Sequence, residues 1–305
     1  MQKSNLIVIL GCTATGKTNV AANMASQVNG EVISADSRQV YRGMDVGTGK
    51  DLSEFNIDGK VIPHHLIDIV DAGEEYNVFE YQKDFLNAFE GIQQRNNKAI
   101  LCGGTGMYLE AVLKGYRLLN IPENVELRKR LENKTNEELL AELTTLKKLH
   151  NTTDSIERHR LVRSMEITVF EIDNKNLIND YPKIEATIFG IKFEREIIRE
   201  RITKRLKQRL KHEGMIAEVE GLIAAGVDPE KLKFYGLEYK LITQFLLNEI
   251  DRPAMFNQLN IAIHQFSKRQ ATWFRKMERN GFKINWIDGN LPLEEKVDKI
   301  IRHCE

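Results

Sequence analysis

Residues 11–18 read Gly-Cys-Thr-Ala-Thr-Gly-Lys-Thr and fit G-x-x-x-x-G-K-[ST], the phosphate-binding P-loop. The apolar run Leu6–Leu10 precedes the motif, and a helix-compatible stretch, Asn19–Val28, follows it. Strand, glycine turn and helix in that order constrain the fold more than any other feature. Such a loop works only where a buried parallel strand hands the chain to a helix N-terminus. Gly11 and Gly16 let the backbone curl so that successive N–H groups converge on one anion. The helix dipole favours negative charge there, Lys17 adds a point charge, and the Thr18 hydroxyl could ligate Mg²⁺. The motif leaves open which phosphate compound binds and which bond breaks.

The rest of the first ~115 residues alternates short apolar runs with helical stretches, the pattern of an α/β fold with a parallel sheet. Strands are expected at 6–10, 31–34, 65–69 and 99–102, and helices at 18–28, 78–95 and 106–114. From Asn120 the chain becomes charged and helix-periodic, with Leu127, Leu131, Leu139, Leu140, Leu143 and Leu146 at helical spacing. Residues 186–193 read as a return to the sheet, followed by a basic helix over 195–212, further helices and a last strand at 282–287. The expected organisation is a P-loop core (1–119), a mostly α-helical insertion (120–185) and a return to the core with C-terminal helices (186–305).

Lys+Arg and Asp+Glu both number 44, so whole-chain charge points to no polyanionic partner and only local clustering can. The three cysteines, Cys12, Cys102 and Cys304, are widely spaced, which argues against a disulfide framework or a zinc site and fits a reducing cytoplasm. No signal peptide is expected before the strand at Leu6. No apolar run approaches the ~18 residues needed to cross a bilayer, so no membrane role is expected.

Further motifs fall at expected strand ends. Ser34-Ala35-Asp36-Ser37-Arg38-Gln39 follows the second strand, where open α/β sheets place their ligands. Asp36 could serve as a general base and Gln39 could read a nucleobase edge, yet an Asp or Ser at such a turn also commonly caps a helix. Gly103-Gly104-Thr105-Gly106 makes a second glycine turn at the same sheet edge, from which Thr105 could donate into a cleft; a tight strand-to-helix turn explains it equally well. His64 and His65 have no partners at metal-ligand spacing and suit a structural role, whereas Asp68 could orient Mg²⁺ through water.

Three basic clusters stand out: Arg158-His159-Arg160-Leu161-Val162-Arg163, the 192–212 span with nine Lys/Arg against three Glu, and Lys268–Lys276. Each could be a solvated helix face, and together they could line a polyanion groove. Trp273 and Phe274 could stack on bases or belong to the core.

Taken together, the segments GCTATGKT (11–18), ISADSRQVYRGMDVGTGK (33–50), HHLID (64–68), CGGTGMYL (102–109), HRLVRSMEI (159–167) and KRQATWFR (268–275) resemble the tRNA dimethylallyltransferases, also called tRNA isopentenyltransferases, and do so in that family's order along the whole chain. The resemblance implies transfer of a dimethylallyl group from its diphosphate to N6 of the adenosine 3′ of a tRNA anticodon. It implies tRNA and dimethylallyl diphosphate as partners; Mg²⁺ at Thr18 is the cofactor expected from the P-loop, and a monomer is expected. The P-loop residues Gly11, Thr13, Ala14, Thr15, Gly16, Lys17 and Thr18, with Arg201 from the basic helix, would bind the diphosphate. Asp36 would be the base, with Thr105 near the reacting nitrogen. Asp36, Ser37, Arg38, Gln39 and Thr105 would contact the adenosine and its neighbours. Arg128, the 159–163 stretch (His159, Arg160, Leu161, Val162, Arg163) and Lys268, Arg269, Gln270, Trp273 and Arg275 would contact tRNA.

The chain departs from the family's pattern at Cys12 in place of Pro, at VGTGKD (46–51) in place of IGTAKP, and at 234–240. A prenyltransferase on free adenine nucleotides would use the same P-loop and base without the basic clusters. A small-molecule kinase would use the P-loop alone, and an RNA-binding module would leave both the P-loop and Asp36 idle.

Overall fold

A computed structural model describes residues 4–116, 121–146, 157–174 and 181–304. The expected insertion boundary at 119/120 lies outside these residues. In chain order the elements are β1 (Leu6–Gly11), α1 (Lys17–Val28), β2 (Gly30–Ala35), a 3₁₀ turn (Leu52–Phe55), the short hairpin β3 (Asn56–Ile57) and β4 (Lys60–Val61), β5 (His64–His65), α2 (Val78–Gln94), β6 (Lys98–Gly103), α3 (Gly106–Leu113), α4 (Val125–Leu131), α5 (Asn136–Leu146), α6 (Arg158–Asp173), β7 (Ala186–Lys192), α7 (Arg195–His212), α8 (Met215–Ala224), α9 (Pro229–Leu232), α10 (Leu237–Leu246), α11 (Arg252–Arg279), β8 (Ile284–Asp288) and α12 (Leu293–Cys304). They group into two compact units, residues 1–116 with 183–305, and residues 117–182.

The first unit is an α/β fold on a six-stranded parallel sheet in the order β5-β2-β6-β1-β7-β8. β1 is buried at every position, as a strand covered on both faces by helices must be. Successive side chains then divide between two cores. Leu6, Val8 and Leu10 join Phe85 and Phe89 of α2, Leu109 of α3 and Phe274 of α11 on one face. Ile7 and Ile9 join Val20 and Met24 of α1 and Val297 and Ile300 of α12 on the other. The chain leaves β1 towards β2 and leaves β6 towards β7, in opposite directions along the sheet. The carboxyl ends of β1 and β6 therefore flank a topological switch point, where open α/β sheets form their ligand crevice. A third core, around Ile202, Leu206, Tyr239, Ile242, Leu259 and Ile263, binds α7, α10 and α11 together and holds Val40, Tyr41 and Met44 of the segment after β2.

The strand expected at 65–69 is only two residues long, because Leu66 (φ 60°) and Asp68 (φ 55°) are left-handed and break the extended run. Apolar residues from 66 to 70 gave the pattern of a strand, but Ile69 and Val70 pack against the third core instead. The hairpin at 56–61 was not expected, since two-residue strands carry too little periodicity to read.

The second unit packs α4, α5 and α6 around Leu127, Leu131, Leu139, Leu143, Leu161 and Met165. Its charge centre is Glu166, whose side chain is fully buried. The Glu166 carboxylate accepts from Arg128 (2.7 and 3.2 Å), from Arg163 (3.0 Å) and from the Asn124 N–H (2.9 Å). Burial alone would raise the Glu166 pKa, but Arg128, the Asn124 amide and Arg163 outweigh it and hold the carboxyl below its ordinary range.

Candidate active site

The cleft of the first unit is built from the carboxyl ends of β1, β2 and β6 and closed over by α7, α10 and α11. It is a cavity of about 590 Å³. The P-loop shapes one wall. Ala14 (φ 63°) and Gly16 (φ 76°) are both left-handed, the geometry that aims consecutive amides at one point. The Thr15 hydroxyl turns inward and donates to the Cys12 carbonyl at 2.8 Å, so it fixes the curl and does not line the cavity. Thr13, Ala14, Gly16, Lys17 and Thr18 line it, whereas Gly11 ends β1 beneath them. Burial pushes the Cys102 thiol, at the end of β6, up to about 12.

Arg201, expected from the basic helix, lies directly on the loop: its Nε donates to the Ala14 carbonyl at 2.8 Å and its guanidinium stacks over Phe193 at 4.7 Å. Arg205 and Arg209 follow it at four-residue spacing on α7 and also line the cavity. Asp51 bridges the two, and its distance to Arg209 is 3.1 Å. Burial and the neighbouring Arg205 push Arg209 below its ordinary pKa. Lys17, Arg38, Lys204 and Arg269 add to the positive wall, against Asp36, Asp51, Glu54 and Glu238. Burial raises the pKa of both Glu54 and Glu238, which favours their neutral forms and leaves the field more positive. Such a cavity favours a multiply charged anion.

Asp36 directly follows β2 and lines the same cavity. The helix-cap alternative is not realised: residues 37–40 form a turn, and the Asp36 carboxylate accepts from the Arg38 N–H at 2.9 Å. The Thr105 hydroxyl accepts from the Ser37 N–H at 3.1 Å, which ties the β6 turn to the Asp36 turn and leaves the Thr105 proton to donate. Gln39 lines the cleft, but both ends of its amide are engaged: Oε1 accepts from Ser34 and Nε2 donates to the Gly49 carbonyl, each at 3.1 Å. Its geometry holds the 47–51 loop.

That loop depends on residues the sequence did not single out. The Lys50 side chain is fully buried, and its ammonium donates to the Tyr41 carbonyl, to Asp45 (2.8 Å) and to Asp68. Asp68, considered for Mg²⁺, is therefore the partner of Lys50. Glu218 accepts from the Asp45, Val46 and Gly47 amides (2.8, 2.6 and 3.0 Å) and from the Tyr239 hydroxyl (2.6 Å). Lys50 ends the 33–50 segment with no role read for it there, and Glu218 carries no local signal. Arg205 and Arg209 did, as the i+4 and i+8 positions from Arg201.

On α11 the inward stripe is Met255, Leu259, Ile263, Ser267, Gln270, Phe274 and Met277. Phe274 is core, and Trp273 packs closely on Gly106, where a Cβ would stand 2.3 Å from the indole, with its N–H buried. Lys268, Arg269 and Arg275 are exposed, and Arg269 also reaches the cleft. Gln270 is buried, with both amide ends on main chain. In the second unit Arg128, His159 and Val162 line a groove with Val125, Lys129, Glu132 and Arg158. Arg160 pairs with Glu157 at 3.1 Å, Arg163 spans Glu166 and the Ile121 carbonyl, and Leu161 is fully buried in that unit's core.

The chain is similar to known proteins in sequence and in fold. A family profile described as IPP transferase matches residues 39–277, and one described as isopentenyl transferase matches residues 4–59. The chain is 53% identical over 298 residues to tRNA dimethylallyltransferase 2 of Bacteroides fragilis, covering 98% of this chain and 97% of that protein. It is 53% identical over 302 residues to tRNA dimethylallyltransferase 1 of Parabacteroides distasonis, covering 99% and 98%. The crystal structure of the tRNA isopentenylpyrophosphate transferase of Bacillus halodurans superposes with a TM-score of 0.71 at 30% identity, over 99% of this chain and 95% of that one. A eukaryotic dimethylallyltransferase acting on tRNA shares the fold at a TM-score of 0.73 and 22% identity, over 93% of this chain and 73% of that one. With its parallel sheet, P-loop and full-length similarity, the chain is an enzyme of the tRNA dimethylallyltransferase family.

Proposed function

We propose that this protein transfers a dimethylallyl group from dimethylallyl diphosphate to N6 of the adenosine 3′ of the anticodon in tRNA, with Asp36 as general base and the P-loop holding the diphosphate. The observation that carries the reading is that an anion-binding group (Ala14, Lys17, Arg201) and a carboxylate with its neighbouring hydroxyl (Asp36, Thr105) line one cavity. Prenyl transfer needs both: the leaving group develops negative charge as its bond to the allylic carbon breaks, and the amine must lose a proton as its bond to that carbon forms.

The P-loop amides, Lys17 and Arg201 stabilise the charge on the departing diphosphate. The Thr18 hydroxyl suits Mg²⁺, a hard cation that takes few protein oxygens and shares substrate phosphates; when bound, Mg²⁺ neutralises part of the leaving group's charge. The exocyclic amine of adenine is a weak nucleophile because its lone pair is delocalised into the ring. Asp36 accepts its proton, and general-base help of this kind is typically worth ~10²–10⁴ in rate. The Thr105 hydroxyl, positioned by Ser37, is available to hold the base.

Reaching the cavity requires the adenosine to leave its stack, at a cost of a few kcal/mol. Phosphate contacts by exposed Lys268, Arg269 and Arg275, and by the 120–185 region acting as an RNA-contacting insertion through Arg128, His159 and Arg160, offset it. The protein acts as a monomer in this reading.

The test is incubation with Mg²⁺ and radiolabelled dimethylallyl diphosphate, with unmodified tRNA in one tube and AMP, ADP or ATP in others. Label on tRNA alone is expected; label on free nucleotide overturns the choice of acceptor. Asp36→Asn should lower kcat by ~10²–10⁴ while tRNA and diphosphate still bind. A near-normal rate would remove Asp36 from the chemistry.

A further inference from the structure

α11 meets the P-loop at two points. The Cys12 thiol donates to the Ser267 carbonyl at 3.5 Å, and three residues further along the helix Gln270 takes the next amide of the loop. The Gln270 Oε1 accepts from the Thr13 N–H at 2.8 Å, and its Nε2 donates to the Gly104 carbonyl at 3.0 Å. The side chain is 6% exposed, so both bonds lie in a water-poor place. Gly104 is glycine because a Cβ there would stand 2.4 Å from Gln270 Nε2. One amide thus joins the two glycine turns, which lie against each other: a Cβ at Gly104 would also stand 3.0 Å from the Gly11 carbonyl oxygen.

We infer that Gln270 is a positioning residue for prenyl transfer and has no contact with tRNA: it sets the diphosphate loop through Thr13 and the Thr105 hydroxyl through Gly104. The chain of bonds is short. Gly104 precedes Thr105, whose hydroxyl accepts from Ser37, whose neighbour is Asp36. A shift at Gly104 therefore displaces the hydroxyl donor and the base turn together. A shift at Thr13 splays the amides that converge on the anion. The outward neighbours Lys268, Arg269 and Arg275 share the helix but not these bonds. Gln270 is the point where the helix that presents charge to the outside grips the reacting groups inside. Its two ends are complementary and cannot be exchanged: Thr13 offers only a donor and Gly104 only an acceptor.

This inference rests on the proposed reaction, so the test separates the two. Gln270→Glu keeps the shape and the acceptor for Thr13, loses the donor to Gly104 and sets a carboxylate oxygen against its carbonyl. Gln270→Met keeps the volume and loses both bonds. The readouts are inorganic pyrophosphate binding by calorimetry without tRNA, tRNA binding across a salt series, and kcat with KM for each substrate. Thermal melts confirm folding, and if Gln270→Glu does not fold, Gln270→Met decides. Expected are pyrophosphate affinity down at least ~10-fold, kcat down at least ~10-fold, and tRNA affinity and salt slope unchanged. Arg275→Ala should show the reverse, weaker tRNA binding and unchanged pyrophosphate binding. Pyrophosphate affinity and kcat within twofold of the parent overturn the inference, as does a fall in tRNA affinity alone, which would make Gln270 a tRNA contact. A parent enzyme that binds pyrophosphate but labels no tRNA would refute the proposed reaction and leave the pyrophosphate arm to judge Gln270.

Discussion

Replacing Lys50 by Met probes the support of the substrate-facing loop. Met fills nearly the same space and removes the ammonium, whose side chain is fully buried. Three groups then lose a partner: the Tyr41 carbonyl, Asp45 and Asp68. Tyr41 is 3% exposed, so its carbonyl cannot recruit water, and an orphaned buried acceptor costs about 1–3 kcal/mol. Breaking a wholly buried ion pair would cost about 3–5 kcal/mol. Here the carboxylate side chains are 53% and 36% exposed and rehydrate in part, so their share is smaller. The expected total is about 2–4 kcal/mol, which for a unit of this size lowers the melting temperature by roughly 5–12 °C. The 36–50 segment carries Asp36 and the Gly49 carbonyl that holds Gln39, so kcat/KM should fall at least ~10-fold even where the protein remains folded. Circular-dichroism melts and prenyl-transfer kinetics give the two readouts. A double-mutant cycle with Asp68→Asn should show coupling of at least about 1 kcal/mol. A melting temperature within 2 °C of the parent, with kcat/KM within threefold, would show that the buried ammonium does not organise this loop.

Two further outcomes are expected. Glu31, 2% exposed, is held at about 2 by the Arg95 guanidinium, with Asn97 and His65 adding to it against the opposing effect of burial. Because this folded value lies below the unfolded one of ~4.3, the stabilisation, on the order of 3 kcal/mol, is present above that pH and is lost as pH falls through about 2. Urea unfolding should therefore lose more stability between pH 5 and 3 in the parent than in Glu31→Gln, and parallel losses would refute the assignment. Cys102, pushed up to about 12 by burial, should resist iodoacetamide at pH 8 in the folded protein and react once unfolded. Equal labelling in both states, read by mass spectrometry, would contradict its burial at the end of β6.

What the sequence alone determined rests on interactions between near neighbours. The P-loop reads from eight residues because its curl, its helix N-terminus and its lysine are consecutive. The strands β1, β2, β6 and β7 read as apolar runs because both sheet faces are buried, and the basic helix α7 is read with the ends it has in the structure, Arg195 and His212. The family resemblance drew on the same local segments. The tertiary structure decided what those segments touch. Asp36 could have been a helix cap until the chain after it formed a turn and the cavity opened beside it. Gln270 stood in a basic cluster, yet its partner Thr13 is 257 residues away, and the period of α11 turns it inward while Lys268 and Arg275 turn out. Lys50 finds Asp68 18 residues on, past a 3₁₀ turn, a hairpin and a short strand, where two left-handed residues that no periodicity announces turn the chain. A helix or strand is set by the chain's own neighbours, whereas the partner of a buried charge or amide is set by which distant backbone the packing brings to it.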